Sequence, residues 1–565
     1  MNIIATRLAR QYPEKNKDVR FSVTSLRRDI AGVARKPLIV LLGAALGLLL
    51  IGCCNLVNLL LAHALTRSRE TAVRSALGAT QARLVRQAAA ELIPILLVGS
   101  LLGVLAAKWG VQLLIPWLPA ALPRVDEIQV SLPVLLFSGA ILCVTAALML
   151  LLPAMQGSRT DLVATLREDT RTSSGAAGKA TIRNLLVVCQ VALTLILLTG
   201  AGLLIRTFAA LKEVNPGFRP QGVLSFHLEI PRTKYAGDDQ AAAFCHRILE
   251  QVRSLRGVDS AGMGNRLPLD GASGLSSIEF ERTNQEPAVL EATDETTVTP
   301  GYFQAMGIQM LQGRAFTDQD TPWVVVVDER VARLAWPGEN PIGKRVRGGP
   351  HRPWAEVVGA VGHIRHEKLE DDQRLQIYWN YLQRIRDYMT LVVRTSGDPR
   401  LLVGPVLGAI KTVDPDQPAY PVRTMTEVMD RYLALRWFNT VLVSLFAGAS
   451  LLLAMVGIYG VIAWTVRQRT REIGVRMALG AQRGAVLALV LRNGLKLAST
   501  GTAIGVIGAL VLSQLLRGLL FGIGPTDPLT FAAVPLLLVS VALLACWLPA
   551  RSAARVNPME ALRCE

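Results

Sequence analysis

The segment "GENPIGKR", which begins at Gly338, has the glycine and lysine spacing of a loop that binds nucleotide phosphates. Such a loop places a Ser or Thr directly after the lysine to hold Mg²⁺, but this chain has Arg345 there. Pro341 also removes one of the backbone N–H groups that would contact phosphate. We therefore predict that this segment binds no nucleotide. Since the sequence contains no other phosphate-loop pattern, ATP hydrolysis of this kind requires a second protein.

A second group of residues has side chains that can bind a metal ion. His363, His366 and Glu367 lie close together in sequence, but their spacing is not that of a zinc motif and the sequence identifies no further ligand. We predict a strand end with solvated polar groups instead. We also interpret four aspartates as loop carboxylates: Asp318, Asp320, Asp371 and Asp372. Because no nucleophile, base and orienting group can be assigned, the sequence predicts no catalytic, cofactor or metal site.

Long apolar runs determine the class of protein. Of the 565 residues, 51% are hydrophobic and only 18% are charged. A helix needs about 20 apolar residues to cross the hydrocarbon core of a membrane. Runs of this length occur at 38–62, 92–118, 131–153, 185–205, 438–464, 495–520 and 529–549. The sequence therefore predicts a polytopic α-helical membrane protein with seven spans.

The net charge of +17 lies mostly beside these runs. Residues 208–436 hold 27 Lys and Arg against 29 Asp and Glu, so the basic excess belongs to the short loops near the spans. Short basic loops are typical of the cytoplasmic side of a membrane. A nucleic-acid-binding surface would instead gather basic and aromatic residues on one folded face. We expect the membrane lipid bilayer, and no nucleic acid, as a partner.

Two phrases occur twice in the chain, in the same order. "RETAVRSALGA" begins at Arg69 and "REIGVRMALGA" at Arg471, and they agree at eight of eleven positions. "PAMQGSRTDLVATLR" begins at Pro153 and is matched by "PARSAARVNPMEALR" from Pro549. In each half the two phrases occur in the same order, around spans that run in the same direction. This predicts an internal duplication. The expected architecture is two parallel three-span repeats plus one span, because both copies keep the same orientation.

The repeat order and the hydrophilic segment together suggest domain boundaries. The repeat order places the N-terminal residues outside, so we expect the chain to lack an upstream span and most of a first outside domain. The segment 208–434 reads as a mixed α/β domain. We predict a strand at "GVLSFHLEI", a strand passing into a helix at "WVVVVDERVARLAW" and a helix at "MTEVMDRYLAL". A further helix is predicted at "DQAAAFCHRILEQVRSL", with Phe244, Ile248, Val252 and Leu255 on one face. We predict a domain remnant at 1–36, a first permease copy at 37–168, a cytoplasmic linker and the fourth span at 169–207, the α/β domain at 208–434 and a second copy at 435–565.

The repeated phrase predicts a short amphipathic helix on the cytoplasmic surface in each half. Glutamate precedes arginine by four positions, a favourable spacing on a helix, and a glycine follows as a possible end of the helix. The alternative is a helix that only stiffens a loop, but the same residue order in both halves favours docking of a partner with two equivalent grooves. The expected docking residues are Arg69, Glu70, Val73, Arg74, Leu77, Gly78, Arg471, Glu472, Val475, Arg476, Leu479 and Gly480.

The interior of the spans offers few polar groups. Asn55, Asn58 and His63 are the main ones in the first span, and we interpret them as hydrogen-bonding groups between helices in preference to a transport site. Glycine-rich faces such as "GIYG" and "GTAIGVIGAL" predict close helix packing.

These phrases resemble the FtsX-like and MacB-like permeases of ABC transporters, above all the duplicated, ATPase-free permeases described in acidobacteria. "REIGVRMALGA" is similar to the coupling loop of that family, and "YFQAMGIQMLQGRAF" from Tyr302 is similar to its MacB-like periplasmic core domain. In the first copy "TAVRS" replaces the usual Ile-Gly.

The resemblance implies a protein of the bacterial inner membrane. A separate cytoplasmic ATPase dimer would bind the two short helices and move the spans, which would transmit the motion to the extracytoplasmic domain for efflux or envelope remodelling. The resemblance also implies an extracytoplasmic adaptor or substrate as a further partner. The alternative is a non-transporting scaffold that recruits or activates an extracytoplasmic partner such as a cell-wall hydrolase. Neither function makes the chain an enzyme, and the resemblance implies no cofactor.

Overall fold

The computed structural model describes two compact units, a helical unit within residues 26–209 and 436–554 and an α/β unit at 210–435. The described residues are 7, 11, 26–66, 81–117, 129–157 and 174–554, with short gaps at 272–273, 283–284, 321–322, 371–373, 384, 469 and 480–481.

Long apolar helices form the helical unit. In chain order they are α1 (Leu26–Thr66), α2 (Gln81–Leu114), α3 (Leu132–Gly157) and α4 (Ser174–Glu213), followed after the α/β unit by α9 (Met425–Gln468), the short α10 (Thr470–Ala478), α11 (Arg483–Leu516) and α12 (Pro528–Ala553). Six stretches within the described residues are long and apolar enough to cross a membrane: Arg35–Asn58, Ile93–Leu114, Thr181–Glu213, Met425–Gln468, Arg483–Leu519 and Pro528–Ser552. The span predicted at 131–153 coincides with α3, within which Leu132–Val144 is a shorter apolar stretch.

The helices of this unit pack closely where their facing residues are small. α4, α9, α11 and α12 share one buried apolar cluster, and α1, α4 and α9 share another. Gly505 of α11 lies against α4, so a Cβ atom there would be 3.0 Å from Ala192 Cα. Small residues let helix backbones approach in this way, which is how helices associate in an apolar solvent. The close packing predicted for "GTAIGVIGAL" is confirmed.

The α/β unit contains eleven strands and four helices among its described residues. Its strands are β1 (Val223–Glu229), β2 (Ser260–Gly264), β3 (Leu275–Arg282), β4 (Gln285–Val298), β5 (Met310–Gly313), β6 (Val324–Asp328), β7 (Arg345–Arg347), β8 (Ala355–Val361), β9 (Leu375–Asn380), β10 (Tyr388–Arg394) and β11 (Ala419–Thr424). Its helices are α5 (Asp238–Arg253), α6 (Tyr302–Met306), α7 (Glu329–Ala335) and α8 (Val403–Val413).

Two sheet modules result from the strand order. β11, β1, β10 and β2 form an antiparallel sheet, and the chain order β1-α5-β2 and β10-α8-β11 gives a split βαβ arrangement. β4, β3, β7, β8, β6 and β9 pair in turn, and β9 pairs with β4 again, so this second module closes on itself. Closure removes the unpaired strand edges that an open sheet would expose.

Each module has its own apolar core. Phe244, Ile248 and Val252 of α5 are fully buried against the first sheet, as the spacing of the sequence predicted. In the closed module, Val325 and Val327 of β6 pack with Trp336, which follows α7. The predicted change from strand to helix within "WVVVVDERVARLAW" is confirmed, because Asp328 ends β6 and its carboxylate accepts the Val331 N–H at 2.7 Å to cap α7.

Candidate functional site

Helix α10 is the described part of the second repeated phrase. Ile473, one of its inward residues, is 5% exposed and packs with Val486 of α11, while Val466 and Met477 flank this contact. On the outward side, Val475 is 40% exposed and Leu479, directly after the helix, is 83% exposed. The helix is therefore fixed to α9 and α11 by one face and presents an apolar ridge on the other.

A small recess lies behind this helix. Its volume is about 30 Å³, and its lining includes Thr465 of α9, Ile473 and Arg476 of α10, and Asn493 of α11. A space of this size holds one or two water molecules, so it is a packing defect at the base of α10 and too small for an organic ligand.

The remaining predicted docking residues have a different status. Arg471 and Glu472 lie in α10 by their backbone, but their side chains are outside the described part of the chain. Gly480 also lies outside the described residues, as do all six residues predicted for the first copy, namely Arg69, Glu70, Val73, Arg74, Leu77 and Gly78. Docking by these residues stays a prediction.

A polar cluster connects three helices inside the helical unit. Asn55 of α1 and Gln190 of α4 both donate a side-chain N–H to the carbonyl of Leu453 in α9, each at 2.7 Å. The interpretation of Asn55 as a hydrogen-bonding group between helices is confirmed. Asn58 is 5% exposed, but its amide nitrogen and oxygen contact no hydrogen-bonding partner. The side chain of His63 is outside the described residues.

A buried arginine that the sequence did not predict lies beside this cluster. Arg183 of α4 is 4% exposed, and its guanidinium donates to Thr465 Oγ1 at 3.1 Å. The same guanidinium lies 3.9 Å from the centre of the Trp464 ring, a cation–π contact. No carboxylate in the described segments forms an ion pair with it. The sequence did contain a signal for this contact, because Arg183 lies two residues before an apolar run. An arginine at such a position can fold back between the helices.

An ion pair joins α4 to the start of α12. Arg206 donates to Asp527 Oδ1, while Asp527 Oδ2 accepts the backbone N–H of Thr530 at 2.9 Å and its hydroxyl at 2.7 Å. Burial raises the pKa of Asp527, but the hydrogen bonds from Thr530 and Arg206 outweigh it and hold the pKa below its usual range. One carboxylate thus caps α12 and holds it to a neighbouring helix.

In the α/β unit, the prediction that His363 and His366 are solvated is wrong. The His363 side chain is 8% exposed, and its Nδ1 lies 2.7 Å from Asp328 Oδ2. Burial raises the pKa of Asp328, an effect that His363 and the Val331 N–H oppose. The sequence could not show this pairing, because Asp328 is distant along the chain and reaches His363 only through the pairing of β6 with β8.

His366 is 4% exposed and lies among charged groups, with Asp294, Arg266 and Arg374 as the influences on its titration besides burial. Burial lowers the pKa of His366 to about 4; Asp294 acts in the opposite direction, and the two arginines act in the same one. The described residues form no group of three or more metal-ligating side chains.

We expect this histidine to make the α/β unit sensitive to acid. The unfolded chain takes up a proton near pH 6.5 and the folded chain only near pH 4, so the free energy of unfolding falls as the pH drops between these values. The loss at pH 4 is on the order of 3 kcal/mol, at 1.36 kcal/mol per pKa unit. Thermal unfolding of the full chain between pH 7 and pH 4 should show a shallower decline for His366→Gln. The exposed His351→Gln serves as a control, and a His366→Gln profile that matches the wild type would contradict the expectation.

Two other predicted loops have defined contacts. In "GENPIGKR" the Gly343 N–H donates to the Val357 carbonyl at 2.9 Å and Lys344 pairs with Glu339 at 2.6 Å, so groups that would face a phosphate are already engaged. Asp318 and Asp320 are loop carboxylates, as predicted. The Asp318 side chain is exposed, whereas that of Asp320 is 7% exposed and pairs with Arg314 at 2.5 Å. Asp371 and Asp372 lie outside the described residues.

Comparison with known proteins identifies both units. The model of the FtsX-like permease C-terminal family matches residues 42–161 and again residues 444–558, and the model of the MacB-like periplasmic core domain matches residues 219–400. The macrolide export ATP-binding/permease protein MacB of Chromobacterium violaceum is 27% identical over 62% of this chain and 53% of its own length. The uncharacterized ABC transporter permease YknZ of Bacillus subtilis is 25% identical over 49% of this chain and 71% of its own length.

Among solved structures, the periplasmic region of MacB from Actinobacillus actinomycetemcomitans is 16% identical, with a TM-score of 0.27, and the match covers 39% of this chain and 96% of that one. This chain spans about half the length of the MacB protein it matches. The matched segments define a membrane permease of the ABC transporter class. Specifically, the chain carries two FtsX-like permease segments and one MacB-like periplasmic core domain.

Proposed function

We propose that this chain is the permease subunit that couples a separate cytoplasmic ATPase dimer to its own extracytoplasmic α/β unit, in the inner membrane of a bacterium. Helix α10 carries the proposal, because its inner face is fixed to α9 and α11 while Val475 and Leu479 are exposed. An apolar ridge on a firmly held helix is the kind of element that fits a groove of a partner. Movement of α10 by that partner would reach α9 and α11 directly.

The two matches of one permease model support an internal duplication with parallel repeats. In this arrangement α1, α2 and α3 correspond to α9, α11 and α12, and α4 is the additional span. The first repeated phrase then lies on the same cytoplasmic side as α10 and supplies the second docking helix. The name of the related MacB protein gives it both ATP binding and a permease. For the present chain we propose that the ATPase is a separate protein.

The work delivered to the α/β unit would be mechanical, for efflux or for envelope remodelling. Inside the described helices, the polar groups of Asn55, Asn58 and Arg183 line a cavity of about 20 Å³ between helices. Such a cavity holds one water molecule and no solute. This favours transmission of motion through the spans over a solute path between these helices.

We expect Leu479→Asp to reduce ATPase binding at least tenfold, since it places a charge on the apolar ridge that would enter the partner's groove. The tagged chain would be purified from its native membranes, and the co-purified ABC-type ATPase would be quantified by mass spectrometry. Leu401→Asp is the matched control, because Leu401 is 76% exposed and lies in the α/β unit. Arg476→Glu is expected to weaken binding as well. An ATPase that binds the wild type and remains bound at the same level in both α10 variants would disprove the docking assignment.

A further inference from the structure

The two permease segments can be compared position by position, on the basis of the duplication proposed above. Arg69 and Arg471 begin the repeated phrase, and an uninterrupted apolar helix precedes each of them. Each residue of α1 therefore corresponds to the residue 402 positions later in α9. By this count Asn55 corresponds to Gly457 and Asn58 corresponds to Gly460.

Corresponding residues of α1 and α9 meet in one apolar cluster. Ala44 and Ile51 of α1 and Val443 and Ala447 of α9 are its buried members from these helices. Three corresponding pairs belong to this cluster: Leu41 with Val443, Ala44 with Phe446, and Ile51 with Leu453. Contact between the same face of two related elements is the mark of a two-fold interface. The contact between α1 and α9 is thus a pseudo-two-fold seam within one chain.

The corresponding polar positions also meet, but their residue types differ. A Cβ atom at Gly457 would lie well under 3.0 Å from Asn55 Oδ1 and also under 3.0 Å from both amide atoms of Gln190 in α4. The asparagine of one helix, together with this glutamine, therefore occupies the space left by its own counterpart in the other helix. The amide of Asn55 then reaches past Gly457 to the Leu453 carbonyl. Asn58 and Gly460 line the same cavity of about 20 Å³.

The cavity marks where this fit is incomplete. Asn55 Oδ1 and both amide atoms of Asn58 contact no hydrogen-bonding partner, although Asn55 is 7% and Asn58 5% exposed. Unsatisfied amides are costly in an apolar interior, and a cavity of this size admits one water molecule. At the seam, α1 therefore contributes polar side chains, whereas α9 contributes glycines that leave space for them.

We propose that Asn55 with Gly457 and Asn58 with Gly460 determine the pairing of the first permease segment with the second. Two facing asparagines would compete for space that fits one of them, whereas two facing glycines would leave a void and a lost hydrogen bond. Each segment is thereby a better partner for the other than for a copy of itself, which is specificity by exclusion of the alternative. The duplicated halves have become complementary, and the seam forms within the chain.

The test exchanges the two residue types across the seam in the full chain purified in detergent. Asn55→Gly removes the hydrogen bond to Leu453 and is expected to lower the melting temperature by about 2–4 °C. Gly457→Asn places a second side chain in occupied space and is expected to lower it further, by more than about 5 °C. The double variant should be less unstable than the sum of the single changes, because removing the Asn55 side chain relieves its contact with the side chain introduced at position 457, while the contact with Gln190 remains.

A matched pair of alanine variants controls for helix propensity. Gly448 lies on the same helix with no atom near its Cβ position, so Gly448→Ala should leave the melting temperature unchanged or raise it, whereas Gly457→Ala should lower it. A double Asn55→Gly, Gly457→Asn variant as unstable as the sum of its single changes would overturn the proposal, as would equal effects of the two alanine variants. The result does not depend on an ATPase, so it stands or falls separately from the docking assignment.

Discussion

Replacing Gly505 with leucine is expected to separate α11 from α4 and to leave little correctly folded protein. At this position the two helices approach so closely that a Cβ atom would lie 3.0 Å from Ala192 Cα, from the Ala192 carbonyl oxygen and from Leu195 Cβ. Two of these atoms belong to the backbone, so they cannot move without moving α4. We expect a loss on the order of 3 kcal/mol, at the upper end of the range for overpacked interiors.

The measurement is the yield and melting temperature of the full chain by fluorescence-detected size-exclusion chromatography. Gly484→Leu provides the control, since Gly484 belongs to the same helix and has no atom within contact distance of its Cβ position. That variant should resemble the wild type. Equal behaviour of both leucine variants would mean that α4 and α11 do not pack as described.

Removing the Asp527 carboxylate is expected to destabilise the helical unit strongly. Asp527→Ala deletes the partner of Arg206 and the cap of α12 in one step. Loss of a helix cap costs about 1 kcal/mol. Breaking a fully buried ion pair costs about 3–5 kcal/mol, but the Arg206 side chain is 39% exposed and solvent screens it. We therefore expect a total loss of about 2–3 kcal/mol.

A double-mutant cycle separates the two contributions. Asp527→Asn retains a good capping side chain, so combining it with Arg206→Gln isolates the charge interaction, for which we expect a coupling of about 1 kcal/mol. The exposed pair Arg345–Glu281 gives the comparison, and its coupling should be near zero. If Asp527→Asn is as destabilising as Asp527→Ala and the coupling is nil, the carboxylate does not hold α4 to α12.

The dependence of stability on pH should arise mainly in the α/β unit and not at Asp527. The pKa of Asp527 is lowered, so its contribution to stability is present at neutral pH and is lost only as the pH falls through that lowered value. His366 acts at higher pH, because its neutral form is the one that is buried. Acid unfolding between about pH 6.5 and 4 should therefore begin in the α/β unit.

Local pattern was sufficient for most elements. Alternating apolar residues predicted β1, helical spacing predicted α5, and the change from valines to "DERVARLA" predicted the boundary between β6 and α7. The helix predicted at "MTEVMDRYLAL" proved to be the beginning of α9, which continues without a break to Gln468. Since both parts have helical spacing, the pattern could not show whether a turn separates them.

The sequence by itself determined that the chain is a polytopic membrane protein with FtsX-like and MacB-like segments, because apolar runs and motifs depend on residues that are neighbours along the chain. Six stretches of the described residues are long and apolar enough to span a membrane, against the seven predicted, so the exact number of spans stays a prediction. The sequence did not determine that β9 pairs with β4 to close a module, that Asp328 reaches His363, or that Arg183 folds onto Trp464. Each of these depends on two segments that meet only after folding, and many partners are compatible with the same local pattern. The place of Asn55 in a span was evident from the sequence, but only the packing of α1 against α9 revealed that its side chain fills the space beside Gly457 and reaches the Leu453 carbonyl.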